Sequence, residues 1–185
     1  MPFEARGTLA TDAGMLVVWQ PEAFASVVDY DSWEEELLED DDLERHIRAG
    51  HLVPVDIGAD GGYGVVARAG AADAPARLSG PEARYALVTS EPYLLVATGR
   101  ALLSGLEHVG ADPEARHTLA VEVPPGRRRV TVSIIDWERD PAPVGADGRP
   151  VPGALPDFAV LLDPEPEPAP GYRTALLTFD PPGGP

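Results

Sequence analysis

Short apolar runs, none longer than about six residues, are cut every 8–12 residues or so by Gly, Pro and Asp. Segments 3–9, 15–19, 52–57, 63–67, 85–89, 93–97, 101–106, 117–123, 130–137, 157–162 and 174–179 read as strands, rich in Val, Leu, Ile and aromatic residues. The spacing predicts a mainly β chain: an antiparallel β-sandwich, jelly-roll-like. GADGG at 58–62 and Pro124-Pro125-Gly126 each read as a hairpin turn between the flanking strands. Alternation sends Val130, Val132 and Ile134 to one face, which predicts a core position for all three, together with one of Trp19 or Trp137.

One stretch breaks the period of two. Between residues 31 and 49, Trp33 and Leu37, then Leu43 and Ile47, lie four apart, the spacing of a helical stripe. Asp31 or Ser32 can cap its start. The run Glu39 to Asp42 bends or breaks it, because Asp is a weak helix former and like charges repel. Arg45, His46 and Arg48 suit a helix C-terminus, where His46 is expected as a cation, and Gly50 suits the cap. The expected organisation is a single domain over 1–180, with this helical insertion at 31–49. Proline-rich loops follow at 141–156 and 164–171, then a flexible tail at 181–185.

Charge narrows the function. The 185 residues carry 31 Asp and Glu against 14 basic residues, a net −17. That balance argues against a nucleic-acid binder, since phosphates are repelled. Ten of the acids fall between Asp29 and Glu44, with no base among them. With no cysteine, disulfides, thiol catalysis and cysteine-held zinc are excluded. Every basic residue is Arg, so neither Schiff-base chemistry nor a phosphate-loop lysine is available. The lack of Lys and Asn, both with AT-rich codons, is expected of a bacterial gene of high GC content. No signal peptide opens the chain and no run approaches the roughly 20 apolar residues of a membrane span, so a cytoplasmic location is expected.

Motifs for chemistry are faint. GYGVVA at 62–67 has the outline of a dinucleotide fingerprint but continues as a strand, without the helix that would hold the pyrophosphate. Asp56 to Asp60 alternates oxygens as calcium loops do, but the twelfth position is Ala67 rather than an acid. His46, His51, His108 and His117 form no ligand spacing, and no G-x-S-x-G occurs. No cofactor, no metal and no catalytic residue is therefore predicted.

Two resemblances can be drawn. The 117–140 segment (strand, Pro-Pro-Gly, strand, Asp136-Trp137) followed by DFAVLLDP at 157–164 resembles the competence protein J family, small bacterial β-sandwiches that resemble an inhibitor of a DNA-entry nuclease. VVWQPEAF at 17–24, DYDSWEEEL at 29–37, HLVPVDIGADGGYGV at 51–65 and the 121–140 segment are similar to uncharacterised bacterial proteins of about this length, which implies a stand-alone domain without assigning functional residues.

Three function classes follow. The first is a non-enzymatic interaction protein, immunity- or inhibitor-like, whose acids Glu35, Glu39, Asp40, Asp41 and Asp42 meet a basic protein partner. The second is a sandwich binding a small molecule or carbohydrate at a mouth lined by some of Tyr30, Trp33, Tyr63, Tyr93 and Trp137. The third is a hydrolase using carboxylates. An exposed acidic ridge, an aromatic-lined cleft and a pocket with buried acids, respectively, would separate them. The oligomeric state is not legible.

Overall fold

The computed structural model describes residues 3–140, 145, 151 and 153–179. These form a mainly β protein with two sheets and three short helices. In the first sheet β1 (Phe3–Thr11) pairs with β4 (Gly61–Ala69), β4 with β10 (Phe158–Pro164), and β10 with β9 (Gly126–Ile135). The far side of β9 is shared: β5 (Ala86–Thr89) pairs near its end and β6 (Tyr93–Ala97) near its start. All pairs are antiparallel except β4 with β10. The second sheet runs β3 (Leu52–Asp56), β2 (Met15–Trp19), β7 (Arg100–Gly105), β8 (Leu119–Glu122), all antiparallel. Trp19, Val17, Leu52 and Leu103 of the second sheet bury a common core with Val65, Tyr93, Val130 and Val132 of the first.

The turns read as hairpins are corners. β3 and β4 lie in different sheets, and so do β8 and β9. The chain leaves one sheet and enters the other at 57–60 and at Pro124-Pro125. Prolines cannot donate to a ladder, and Gly58 (φ 69°) and Gly126 (φ 125°) adopt backbone angles that side chains disfavour. Gly and Pro mark a hairpin and a corner alike.

Val130 and Val132 are fully buried and Ile134 half-buried on the face expected for them, and Trp19 is the core tryptophan. The opposite face of β9 is also covered. Ile135, Val66 and Ala159 form a second cluster under Leu78, Tyr85 and Leu155. There α3 (Gly80–Tyr85), which the periodicity does not reveal, is held by a capping box between Ser79 and Glu82 and by Arg68, whose guanidinium lies 2.6 and 3.0 Å from the Glu82 carboxylate. Glu82 is 1% exposed. Burial pushes its carboxyl up, but hydrogen bonds from Arg68 and Ser79 outweigh that and hold it below the usual range.

Segment 174–179 is not a strand. It covers the edge of β3, where the Thr178 hydroxyl accepts from Asp56 N–H (2.8 Å) and donates to Pro54 C=O (2.8 Å). Residues 165–171 carry no helix or strand. Most of the expected loop at 141–156, and the whole tail at 181–185, lie outside the described residues. No helix among the described residues is long and apolar enough to cross a membrane.

Candidate functional site

The helical insertion is two helices, α1 (Tyr30–Leu37) and α2 (Asp40–Ala49). The acidic run does break it, at Leu38 and Glu39. The N-cap of α1 is Asp29 rather than Asp31 or Ser32. Its carboxylate accepts from Ser32 N–H (2.9 Å) while the Ser32 hydroxyl accepts from Asp29 N–H (3.0 Å), a reciprocal box that places Ser32 at the third helical position. Hydrogen bonds from Ser32 hold the Asp29 carboxyl below its ordinary value. Three acids, Asp40, Asp41 and Asp42, occupy the first turn of α2, where the helix dipole favours them. Gly50 closes α2 at φ 75°.

Internal partners neutralise only part of the acidic stretch. Arg45 lies 3.1 Å from both Glu36 and Asp42, and Arg48 lies 3.8 Å from Glu44. Glu35, Glu39, Asp40 and Asp41 are exposed and form no ion pair among the described residues, while Asp42 is half-exposed and paired with Arg45. The three consecutive arginines at 127–129 form no ion pair with this stretch among the described residues. Arg127 binds Glu165 (2.8 Å), and Arg128 is buried, donating to the carbonyls of Pro124 and Gly70. Among the acids stand three exposed apolar side chains: Val28 (72% exposed), Tyr30 (66%) and Leu38 (50%).

Beside α1 runs a groove of about 460 Å³, between Val28, Tyr30 and Trp33 on one wall and the 106–114 loop on the other. Its walls are tied down. The Trp33 indole N–H donates to Leu106 C=O (3.2 Å), Ala111 N–H to Val27 C=O (2.8 Å), and Asp12 N–H to the Glu107 carboxylate (2.9 Å). Tyr30 stacks on Trp33, with ring centroids 6.2 Å apart and planes 16° apart. Four carboxylates line the groove (Asp29, Glu107, Asp112, Glu114), and no arginine does. Of the five aromatics considered from the sequence, only Tyr30 and Trp33 share a mouth. Tyr93 is buried, Tyr63 packs on Phe158, and Trp137 donates to Asp157 (2.8 Å).

The histidines form two pairs, contacts that their sequence spacing does not announce. His108, which lines the groove, stacks on His117, with centroids 4.2 Å apart. His46 and His51 approach through their Nδ1 atoms (3.2 Å), and His46 Nε2 lies 2.9 Å from Glu36. Gly50 folds the helix end back, so that a spacing of five becomes a contact. His46 is not the exposed helix-end cation expected. It is 4% exposed, and burial, its main influence, pushes it below the ordinary imidazole value of 6.5 despite the Glu36 hydrogen bond. His51 is lowered by burial and then by the charge of Arg45.

A second cavity, of about 730 Å³, is lined by Arg6, Thr8, Gly62, Gly64, Asp157 and residues of 151–156. Its carboxylate, Asp157, accepts from Gly64 N–H (2.6 Å) and from Trp137. The buried acid among the described residues, Glu82, lines neither cavity: it pairs with Arg68 (2.6 Å) and, at 4.0 Å, with Arg6 of the second cavity's wall. No group of three or more His, Asp or Glu among the described residues is arranged to hold a metal ion.

No protein-family model matches this chain, and no curated protein does. Two solved structures superpose on this chain. The crocagin biosynthetic gene J protein superposes with a TM-score of 0.60 at 19% identity, over 90% of this chain and 99% of its own. ComJ of Bacillus subtilis, the inhibitor of the DNA-degrading activity of NucA, superposes with a TM-score of 0.46 at 9% identity, over 88% of this chain and 98% of its own. At 19% identity the first likeness is one of fold alone.

Proposed function

We propose that this chain is a non-enzymatic interaction protein of inhibitor or immunity type that meets a basic protein partner through the face made by α1 and α2. The observation that carries this reading is the company the acids keep. Within the one stretch 28–42, Val28, Tyr30 and Leu38 stand in water alongside exposed Glu35, Glu39, Asp40 and Asp41, which have no cationic partner among the described residues. A face that served only solubility would need the charges but not the apolar side chains. A docking face uses both: charge steers the encounter, and desolvated aromatic and aliphatic anchors hold the complex. The sequence resemblance to the competence protein J family points the same way, since a nuclease presents cationic surface to phosphates and an acidic ridge offers it a similar field. We also take the two sheets around one core as a jelly-roll-like β-sandwich domain, and the protein as bacterial and cytoplasmic.

The test is capture from native-host lysate by wild type and by a variant with Glu35, Glu39, Asp40, Asp41 and Asp42 changed to Arg. Circular dichroism would check the fold of both. Wild type should retain a basic protein at low salt and release it when the Debye length is cut from about 10 Å to about 3 Å by raising salt. The variant should retain none. Capture of the same protein by both, or capture indifferent to salt, would overturn the reading.

A further inference from the structure

We propose that the groove between α1 and the 106–114 loop is a socket for one arginine side chain of that partner; the inference rests on the docking reading above. Three observations carry it. The groove is concave and tied down: both walls hang on hydrogen bonds to Leu106, Val27 and Asp12. One wall is a stacked Tyr30–Trp33 pair, with Tyr30 two-thirds exposed at the mouth. Four carboxylates line it against one histidine, His108, which lies 3.7 Å from Glu107, and no arginine is among the lining residues.

These carboxylates are not equivalent. Asp29 caps α1, Glu107 accepts from Asp12 N–H and the Thr11 hydroxyl, and Glu114 pairs with Arg116 at 2.6 Å. Asp112 is exposed at the groove and takes part in no hydrogen bond or ion pair among the described residues. An aromatic wall facing a carboxylate suits a guanidinium better than an ammonium. The guanidinium is planar, stacks on rings, is weakly hydrated, and presents forked donors to a carboxylate. The groove is large enough for one such side chain and too small for a helix. Charge complementarity selects a cation, and the flat aromatic wall selects the guanidinium.

The probes are N-acetyl-arginine amide and its lysine and citrulline counterparts, titrated into the full chain while indole N–H resonances are followed by NMR. The arginine probe should shift the Trp33 indole saturably, with a dissociation constant of about a millimolar or weaker, as befits one side chain. The buried Trp19 indole should not move. Citrulline, isosteric but neutral, should shift nothing, and lysine should bind several-fold more weakly. Tyr30→Ala and Asp112→Asn, both at exposed positions, should each weaken the arginine probe at least threefold. No saturable shift, equal arginine and lysine titrations, or variants that titrate like wild type would overturn the socket. The two readings fail separately. If partner capture is lost on charge reversal but untouched by Tyr30→Ala and Asp112→Asn, the socket falls and the docking face stands. If the probe binds as described but no basic partner is captured, the site stands as an arginine pocket and the docking face falls.

Discussion

Acidification should destabilise this protein through the His46–His51 pair. Ionised Glu36 requires the proton of His46 to sit on Nε2, which leaves His46 Nδ1 to accept from His51 Nδ1–H. One extra proton can be taken up, on His51 Nε2, with the Nδ1–H to Nδ1 bond kept; two cannot, because two donors would then face each other at 3.2 Å. Arg45, held against Glu36 from α2, adds its own positive charge. Both imidazoles have folded-state values below 6.5. Between 6.5 and those lowered values the unfolded chain therefore binds protons that the folded chain does not, and stability falls as pH drops through that window. Each histidine contributes at most about 1.4 kcal/mol per pH unit, so the pair is bounded by about 2.7 kcal/mol per unit. Urea unfolding at about pH 7.5 and about pH 5.5, on wild type and on the double variant His46→Gln/His51→Gln, measures it. The wild type should lose more stability than the double variant, in which the new side-chain amide at position 46 can still donate to Glu36. Equal losses in the two proteins would refute the account.

Three further outcomes can be checked by chemical denaturation. Ile135→Ala should cost roughly 2–5 kcal/mol, whereas Ile134→Ala, at a half-buried site, should cost only about 1 kcal/mol. Glu82→Gln should cost roughly 2–4 kcal/mol, since it strips a 1%-exposed partner from Arg68, with Glu4 at 2.6 Å left as partial compensation. Gly50→Ala should cost at least about 1 kcal/mol, because φ is 75° and a Cβ would stand 2.9 Å from Val96 Cγ2.

Most strands are legible because each is a short apolar run ended by a residue that cannot continue it. Pairing is less legible. Leu52, Val53, Pro54 and Val55 are all buried, so β3 has no polar face to announce which way its neighbours lie, and Gly58 serves a corner as well as a hairpin. Segment 174–179 has strand-like residues yet pairs through a side chain, Thr178, against an edge. The helix α3 does carry a signature, Ser79-Gly80-Pro81-Glu82, a capping box with proline in the first turn. Its six residues are too few to show a stripe. The acids of the candidate site are visible at once. The groove is not: Trp33 meets Leu106 across 73 positions, and nothing local in the 106–114 segment marks it as a wall.

The acids also differ in what they do for their own helices, and that separates the docking reading from a purely structural one. Asp29 caps α1, and Asp40, Asp41 and Asp42 sit where the dipole of α2 stabilises negative charge, so each has a local reason to be acidic. Glu35 has none. It lies in the last turn of α1, where negative charge opposes the dipole, it is exposed, and it has no ion-pair partner among the described residues. Glu35→Arg should therefore stabilise the fold by about 0.3–1 kcal/mol, by reversing the dipole term and by placing a cation four residues after Asp31. If α1 forms the docking face, the same substitution should weaken retention of a basic partner several-fold. A gain in stability with a loss of binding is a pair of signs that a merely solvated face cannot produce. A more stable variant that binds as wild type does would remove Glu35 from the interface.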